Sequence, residues 1–228
     1  MSTTKERILK TPVTDADLKD LRIGDRIYLS GKLFTLRDLS HKRIGEYLQK
    51  GKKLPVDLKG AAIFHCGPIM KKIGLDAWEA VAAGPTSSSR FSPFVKPVVA
   101  GAGVKIVVGK GSLFPEACQA IIENRAIYVM AVGGCAALYA ERIKRVTGAH
   151  WSEFGMADTL WEFDIEKFGP LTVGIDLKGK NYMQEKKHRL KKNLSTIYRS
   201  FDIDADFNFT WWPQAPAGTK RATEYSTE

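Results

Sequence analysis

Short apolar runs that each lead into glycine recur along the chain and constrain its fold more than any other feature. They occupy residues 61–65, 77–83, 104–108 and 126–131. Helix-like stretches are found at residues 92–100, 115–123 and 135–146. Repetition of a buried strand, a glycine turn and a helix is typical of an α/β fold with a central, largely buried sheet.

Further strands and a helix are predicted before the first of these runs. Residues 26–30 and 33–36 have strand-like composition and flank Gly31-Lys32, so they are predicted to form a hairpin-like pair. The helical spacing of apolar residues predicts a helix over Asp38–Gln49.

The C-terminal half predicts more strands, a basic helix and a boundary. Strands are expected at residues 160–165 and 171–176, and a helix at 182–198. We expect one catalytic domain over residues 1–200. Residues 201–228 begin with alternating aromatics and end polar, with Pro and Gly, so they are predicted to be a partly flexible C-terminal extension.

Length and composition indicate an ordinary globular protein. The chain has 228 residues, of which 44% are hydrophobic, so it can bury a sizeable core without disulfides. No apolar run is long enough to span a bilayer, and the N-terminus lacks the apolar segment of a secretory signal. We therefore expect a cytoplasmic protein that does not associate with membranes.

The cysteines predict neither a disulfide framework nor a metal site. Cys66, Cys118 and Cys135 are odd in number and widely spaced, and no CxxC motif is present. We expect them to be buried small side chains and expect no metal ligand in this chain.

The formal net charge of +10 invites comparison with nucleic-acid-binding proteins. The positive charge is spread along the chain apart from the run at residues 186–192, and such a run is usually the solvated face of a helix. No nucleic-acid-binding motif accompanies it. An anionic small substrate or an acidic partner subunit explains the charge equally well.

A hydroxyl-rich turn, Gly84-Pro-Thr-Ser-Ser-Ser-Arg90, is the first candidate site. If a helix begins near Thr86, then Thr86 and Arg90 lie four residues apart on one face. Free backbone N–H groups, hydroxyls and a guanidinium would then form a compact anion site. The alternative is a capped helix with a surface arginine.

Two further turns place a cation directly after a strand. Lys110 lies between Gly109 and Gly111 after a buried run, where glycine allows close approach of a ligand. Arg37 is at a strand-to-helix junction, followed by Asp38. The alternative for the glycine turn is a plain turn without a ligand.

Two histidines lie close to these turns in sequence. His41 follows Arg37 by one helical turn and is either a proton carrier or a structural histidine. His65-Cys66 precedes Gly67-Pro68, and a backbone turn near the site is the favoured interpretation. Taken together, Arg37, Arg90 and Lys110, with the hydroxyl of Thr86, suit a dicarboxylate substrate.

These motifs, in this order, resemble those of a known family. The segments RIYLSGKLFTLRDLSHKRI, AAIFHCGPI, AAGPTSSSR, VGKGS and WSEFGMADTLWEFDIEKFGPLTVGID are similar to the beta subunit of class I fumarases and L-tartrate dehydratases. They are equally similar to the C-terminal domain of the single-chain versions. The resemblance extends over residues 9–183.

The resemblance implies a swivelling β/β/α domain with a central mixed sheet flanked by helices. It implies an α2β2 assembly in which the alpha subunit holds a [4Fe–4S] cluster, with one iron open to act as a Lewis acid. By motif, Thr86 corresponds to the general base, and a serine among residues 87–89 is the alternative that could share this role. Arg37, Arg90 and Lys110 correspond to residues that bind the carboxylates of a four-carbon substrate.

Some positions depart from the family pattern and bear on the substrate. Lys178 stands where the tartrate type has His, and this replacement and the Gly133-Gly134 turn favour fumarate hydratase. Residues 151–153, Trp-Ser-Glu, favour L-tartrate dehydratase. Fumarate hydratase is the first expectation and tartrate dehydratase the alternative. A non-catalytic basic binding module is a third possibility, against which the intact Thr86, Arg90 and Lys110 argue.

Overall fold

The computed structural model describes residues 6–75 and 77–204. The chain divides into two compact units, Met1–Gln184 and Glu185–Glu228. The strands are β1 (Glu6–Thr11), β2 (Arg26–Thr35), β3 (Ala62–Phe64), β4 (Ile69–Lys72), β5 (Trp78–Ala82), β6 (Ile106–Gly109), β7 (Ile127–Met130), β8 (Ile143–His150) and β9 (Leu160–Ile175). The α-helices are α1 (Asp15–Leu18), α2 (Asp38–Gln49), α3 (Ser92–Lys96), α4 (Pro115–Glu123), α5 (Ala136–Ala140) and α6 (Tyr182–Ser200).

Seven of the described strands form one sheet in the order β1-β2-β3-β6-β7-β9-β8. The neighbours from β1 to β7 run parallel, whereas β9 is antiparallel to β7 and β8. Strand β2 also pairs with β9, so β2, β3, β6, β7 and β9 close into a ring. The predicted mixed α/β architecture is confirmed.

Alternate residues of the central strands pack on opposite faces. Phe64, Val108 and Val129 belong to one buried cluster, which also contains most of the buried apolar side chains of β9. Ile63 and Val107 belong to a second cluster, together with side chains of α2, α3 and α4. Both faces are covered, which is why these strands read as continuous apolar runs instead of alternating ones.

Several predicted elements are confirmed. Helix α2 has the predicted bounds, and α4 occupies residues 115–123 as expected. Helix α6 includes the basic helix predicted at residues 182–198. In the described part of the chain, no helix is both long and apolar enough to cross a membrane.

The predicted hairpin at Gly31-Lys32 is wrong, because β2 continues through both residues. Gly31 has φ of +102°, and a Cβ there would lie 2.6 Å from the carbonyl oxygen of Thr11 on β1. The glycine therefore permits a close approach of two neighbouring strands, not a chain reversal.

The prediction of two strands between residues 160 and 176 is also wrong. Strand β9 is continuous, with register shifts in its pairing with β2 and β8. Lys167 and Gly169 have positive φ angles, so they absorb the irregularity without ending the strand.

Two predicted helices are shorter than expected. Helix α5 ends at Ala140, and the chain then forms β8, in which β-branched Ile143, Val146 and Thr147 favour extended backbone. Helix α3 ends at Lys96 and is followed by a π-helical turn, Pro97–Gly101, where proline cannot donate a helical hydrogen bond.

The run at residues 77–83 forms a strand outside the central sheet. It is β5, which pairs only with β4 among the described strands, as a two-stranded antiparallel sheet. The predicted flexible tail lies largely outside the described residues.

Candidate active site

The candidate residues meet at the carboxyl ends of parallel strands. Arg37 follows β2, His65 follows β3 and Lys110 follows β6. Because these strands are parallel neighbours, their carboxyl ends share one edge of the ring. We call this edge the strand-end face.

Residues 85–88 run between the ends of β3 and β6. Pro85 bridges to Cys66 on one side, and Ser87 bridges to Lys110 on the other. The backbone N–H of Thr86 donates to the carbonyl of His65 at 2.7 Å. The partly buried Thr86 is thereby held between two strand ends of the central sheet.

The expectation that Thr86 and Arg90 share one helical face is wrong. The short 3-10 helix begins only at Ser88 and spans Ser88–Phe91. Thr86 lies before it, where its backbone pairs with the sheet instead of starting a helix. Both residues still border the same face, since Thr86 is beside β3 and Arg90 reaches the first turn of α2.

Arg37 and Arg90 converge on one carboxylate. A guanidinium nitrogen of Arg90 lies 2.8 Å from Asp38 Oδ2, and one of Arg37 lies 3.6 Å from the same oxygen. The side chains are partly exposed, at 49% for Arg90 and 34% for Asp38. Exposed ion pairs of this kind stabilise a fold weakly. The two guanidinium groups therefore remain available to a second carboxylate.

Gly67 makes room for Arg37. A Cβ at Gly67 would lie 2.7 Å from a terminal guanidinium nitrogen of Arg37 and 3.1 Å from Ala157 Cβ. The Nε of Arg37 is buried without a hydrogen-bond partner among the described residues. The arginine is thus held against the turn after β3, and its Nε–H can still donate a hydrogen bond.

Ser88 fixes the turn that carries Lys110. Its buried Oγ accepts a hydrogen bond from the backbone N–H of Lys110 at 3.1 Å and lies 2.9 Å from His65 Nδ1. Its own N–H donates to the carbonyl of Lys110 at 2.9 Å. A Cβ at Gly109 would lie 1.8 Å from Ser88 Oγ, so the glycine is required by this contact.

His41 and His65 are both buried beneath the strand-end face. Their rings lie 5.2 Å apart and contact the ring of Phe91. His41 Nδ1 donates to the carbonyl of Arg37 at 2.8 Å. Burial lowers the pKa of His41 to about 4 and lowers the pKa of His65 well below its usual value. Both rings are therefore neutral at pH 7, which favours a structural role over proton transfer.

The two ends of β9 lie at opposite edges of the ring. Glu162, near its start, pairs with Phe34 of β2, whereas Ile175, at its end, pairs with Tyr128 at the start of β7. Lys178 follows Ile175, so it lies away from the strand-end face. The interpretation of Lys178 as a residue that shapes the substrate site is not supported by this placement.

Residues 151–158, in contrast, lie beside the strand-end face. Asp158 accepts a hydrogen bond from the backbone N–H of Leu39 at 2.9 Å. Glu153 forms an ion pair with Arg43 of α2. The segment whose residues 151–153 favour tartrate chemistry therefore packs against the helix that begins beside Arg37.

The described part of this chain does not fit an iron–sulfur cluster. No group of three or more His, Cys, Asp or Glu side chains there is arranged to hold a metal ion. Cys66 and Cys118 are buried, and burial raises the pKa of each thiol, which disfavours the thiolate that a cluster needs.

Comparison with known proteins decides the family. The family model described as Fumarase C-terminus matches residues 1–186. The chain belongs to the class I fumarate hydratase and tartrate dehydratase beta-subunit family. The members of this family are hydro-lyases, so the chain is a subunit of a hydro-lyase, and the family generally depends on an iron–sulfur cofactor.

Individual relatives favour one branch of this family. The chain is 43% identical over 185 residues to the L(+)-tartrate dehydratase subunit beta of Escherichia coli, covering 80% of this chain and 89% of that protein. It is 37% identical over 186 residues to a Methanocaldococcus jannaschii protein provisionally given the same name, covering 81% and 95%. The word beta in these names implies an alpha-subunit partner.

A third relative has a fumarase name. The chain is 34% identical over 187 residues to a Geobacillus stearothermophilus protein provisionally named class I fumarate hydratase. The match covers 81% of this chain but only 35% of that protein. The relatives thus favour tartrate dehydratase over the fumarate hydratase expected first from the sequence.

Ser88 and Asp38 carry parts of this geometry that the sequence did not single out. Ser88 was one of three neighbouring serines, and its partners are more than 20 residues away. Asp38 was noted only as the residue that follows Arg37. No local signal distinguished either of them.

Proposed function

We propose that this chain is the beta subunit of an L-tartrate dehydratase, which converts L-tartrate to oxaloacetate and water. Its partner is an alpha subunit that holds the [4Fe–4S] cluster, in an α2β2 assembly. The observation that carries the substrate choice is the position of residues 151–158, which border the strand-end face, together with the tartrate dehydratase relatives.

In this proposal Arg37, Arg90 and Lys110 bind the two carboxylates of the substrate. The guanidinium groups suit two-pronged hydrogen bonding to a carboxylate, and the ammonium of Lys110 supplies a compact charge. Supporting this role, Lys110 is held at the end of β6 by Ser88. Its side chain extends towards Gly133, where an added Cβ would lie 3.3 Å from Lys110 Cδ.

Thr86 is the proposed general base at carbon. A hydroxyl is a poor base, so it needs cations nearby to favour loss of its proton. The same cations stabilise the charge that develops on the substrate when its C–H bond breaks. Support for this role comes from the backbone hydrogen bond to His65, which holds Thr86 on the same face as the cations.

Exposed apolar side chains next to the strand-end face support docking of the alpha subunit there. Leu39, Ile69, Phe114 and Val132 are 44% to 60% exposed, and each lies in a segment that follows a strand carrying this face. Apolar side chains that gather at one edge of a folded domain are typical of a protein interface.

Fumarate hydratase is the second candidate. The Gly133-Gly134 turn, which favours fumarate by sequence, lies beside the Lys110 side chain, so this observation keeps its relevance to the site. Lys178, the other residue that favours fumarate by sequence, does not lie beside the site, because it follows the opposite end of β9.

Anaerobic reconstitution with a candidate alpha subunit, followed by parallel assays of L-tartrate and fumarate, tests the proposal. We expect turnover of L-tartrate that depends on this chain, and the same substrate preference in Lys178→His. Turnover of fumarate alone would favour the second candidate. Formation of an intact complex inactive on both would contradict both.

Matched variants test the roles of the site residues. Thr86→Ala is expected to lower kcat by about 10² to 10⁴-fold with little change in KM, because the base acts only in the transition state. Arg90→Ala should damage both kcat and KM. Ser87→Ala, in the exposed neighbour of Thr86, is the control and should retain activity. Equal losses in Thr86→Ala and Ser87→Ala would contradict the assignment of Thr86.

A further inference from the structure

Helix α6 carries an exposed apolar stripe outside the part of the chain that the family shares. The family match ends at residue 186, whereas α6 continues to Ser200. Leu190, Leu194 and Ile197 are 64%, 46% and 48% exposed, and Phe201, just after the helix, is 73% exposed. A helix that leaves large apolar side chains in water at regular spacing has the features of a docking surface.

The spacing of the stripe is that of a coiled-coil seam. Met183, Leu190, Leu194, Ile197 and Phe201 fall on alternating a and d positions of a heptad, and Lys187 occupies the remaining one. Such a seam is narrower than the apolar face, at least about 100° wide, by which a helix usually packs on a core. The narrow seam favours a partner helix over the broad interface of a membrane.

The flanks of the seam determine which helix fits. The e and g positions carry no acidic residue in the described helix; they are Gln184, Lys186, Lys191, Asn193, Tyr198 and Ser200. Lys191 is a basic flanking position, and the helix as a whole has an excess of basic residues. Two copies of so basic a helix repel each other, which opposes self-pairing.

We propose that α6 docks an acidic amphipathic helix of another protein, distinct from the catalytic assembly that the family shares. The apolar stripe of α6 would pack against the a and d residues of that helix. Glutamate or aspartate at its e and g positions would pair with Lys191 and complement the basic surface of α6. The whole of α6 supports this charge complementarity, since it contains six Lys and Arg residues and one Glu.

The test uses the full chain and two synthetic three-heptad helices, both with leucine and isoleucine at a and d. One has glutamate at e and g, and its matched control has lysine there. By fluorescence anisotropy we expect the acidic helix to bind at least about tenfold more tightly than the basic one. Salt should weaken the acidic complex, because the flanking charges are exposed.

Variants of the chain separate the seam from the general charge. Leu190→Ser combined with Leu194→Ser should abolish binding, and Lys191→Glu should reduce the preference for the acidic helix. Ser195→Ala, off the seam, should leave binding unchanged. The hydro-lyase activity of the reconstituted complex should be unchanged in the Leu190→Ser and Leu194→Ser double variant, which makes this test independent of the substrate assignment.

Several results would overturn the proposal. These are equal binding of the two helices, binding of neither, or self-association of the chain that the serine variants abolish. Binding to phosphatidylserine vesicles that requires Leu194, without binding of the acidic helix, would assign the stripe to a membrane surface instead. Loss of hydro-lyase activity in the folded double serine variant would assign α6 to the catalytic assembly.

Discussion

The two sides of the strand-end face are built differently. On one side, Arg37 and Arg90 are joined through Asp38 by partly exposed ion pairs. On the other, Lys110 is set by backbone hydrogen bonds to buried Ser88, which also contacts His65. The first side depends on side chains that solvent can reach, whereas the second depends on the buried side chain of Ser88.

This difference indicates which side of the strand-end face can change its conformation and which cannot. Under the proposed function, a substrate carboxylate would compete with Asp38 for the two guanidinium groups at small cost, since exposed ion pairs are weak. The Lys110 turn cannot move without breaking hydrogen bonds to the buried Ser88, and a buried polar group costs more to leave unpaired. We therefore infer that the arginine side adapts to the ligand and the lysine side positions it.

Gly109→Ala should produce the largest effect, because it attacks the fixed side directly. The new Cβ would lie 1.8 Å from Ser88 Oγ, a distance that forces the two strand ends apart. We expect the free energy of unfolding to fall by about 3 kcal/mol or more, with loss of hydro-lyase activity. Urea unfolding and activity assays measure both.

Gly45→Ala is the matched control for this variant. Gly45 lies in α2, where the nearest atom to its added Cβ is 3.9 Å away, and alanine favours a helix. Stability should be unchanged or higher. A similar loss in both variants would show that the Ser88 contact is not the cause.

Ser88→Ala tests the hydrogen bonds without adding bulk. It removes the acceptor for the Lys110 N–H and the partner of His65 Nδ1. Leaving these two groups unpaired should cost about 2–4 kcal/mol, and KM for the dicarboxylate should rise as the Lys110 turn loosens. Ser89→Ala, at its partly buried neighbour, is the control. An unaltered KM would contradict the positioning role of Ser88.

Acid should destabilise the chain through its buried histidines. The pKa of His41 is about 4 in the folded chain, below its ordinary value of 6.5, so only the unfolded state takes up a proton between these values. The free energy of unfolding should be level above pH 7 and fall by about 2 kcal/mol from His41 alone between pH 7 and 5. His65, shifted in the same direction, adds to this loss.

Urea unfolding at pH 7, 6 and 5 measures this dependence. His41→Gln should flatten the slope by about one proton, whatever its effect on stability at pH 7. Carboxylates with lowered pKa, such as Glu162, lose their contribution only as the pH falls below about 4.5, outside this window. A slope that is identical in the variant would contradict the buried, neutral state of His41.

Asp38→Asn should have the smallest effect on the fold. The exposed ion pairs contribute little, so the free energy of unfolding should change by less than about 1 kcal/mol. Removal of the competing charge should lower KM for a dicarboxylate by a factor of about two to five. A large loss of stability would show that the arginine side is as fixed as the lysine side.

The sequence predicts local features of this protein better than contacts between distant residues. The bounds of α2 and α4 follow from helical spacing. Lys110 could be placed at a strand end because a glycine turn follows its run, and Arg37 because a helical pattern begins at Asp38. The requirement for glycine at position 31 could not be predicted, because it arises from the close approach of Thr11 on a neighbouring strand. Ser88 could not be distinguished from Thr86, Ser87 and Ser89, because all four neighbouring residues carry a hydroxyl group.

The start of the 3-10 helix shows the same limit. Thr86 and Arg90 were expected on one helical face, but pairing of residues 85–88 with Cys66 and Lys110 keeps the backbone extended there. A local capping signal competes with long-range strand pairing, and the pairing prevails. The sequence could place Arg37 and Lys110 after strands, whereas the pairing that holds Thr86 could not be predicted.

Closure of the sheet has a consequence for how such a protein evolves. Strand β2 is hydrogen-bonded to β1, β3 and β9, so no strand of the ring can shift without disturbing its neighbours on both sides. Mutations in segments such as residues 151–158 leave that frame intact. Under the proposed function, a few replacements at the rim would change the substrate while Arg37, Arg90, Lys110 and Thr86 stay in place.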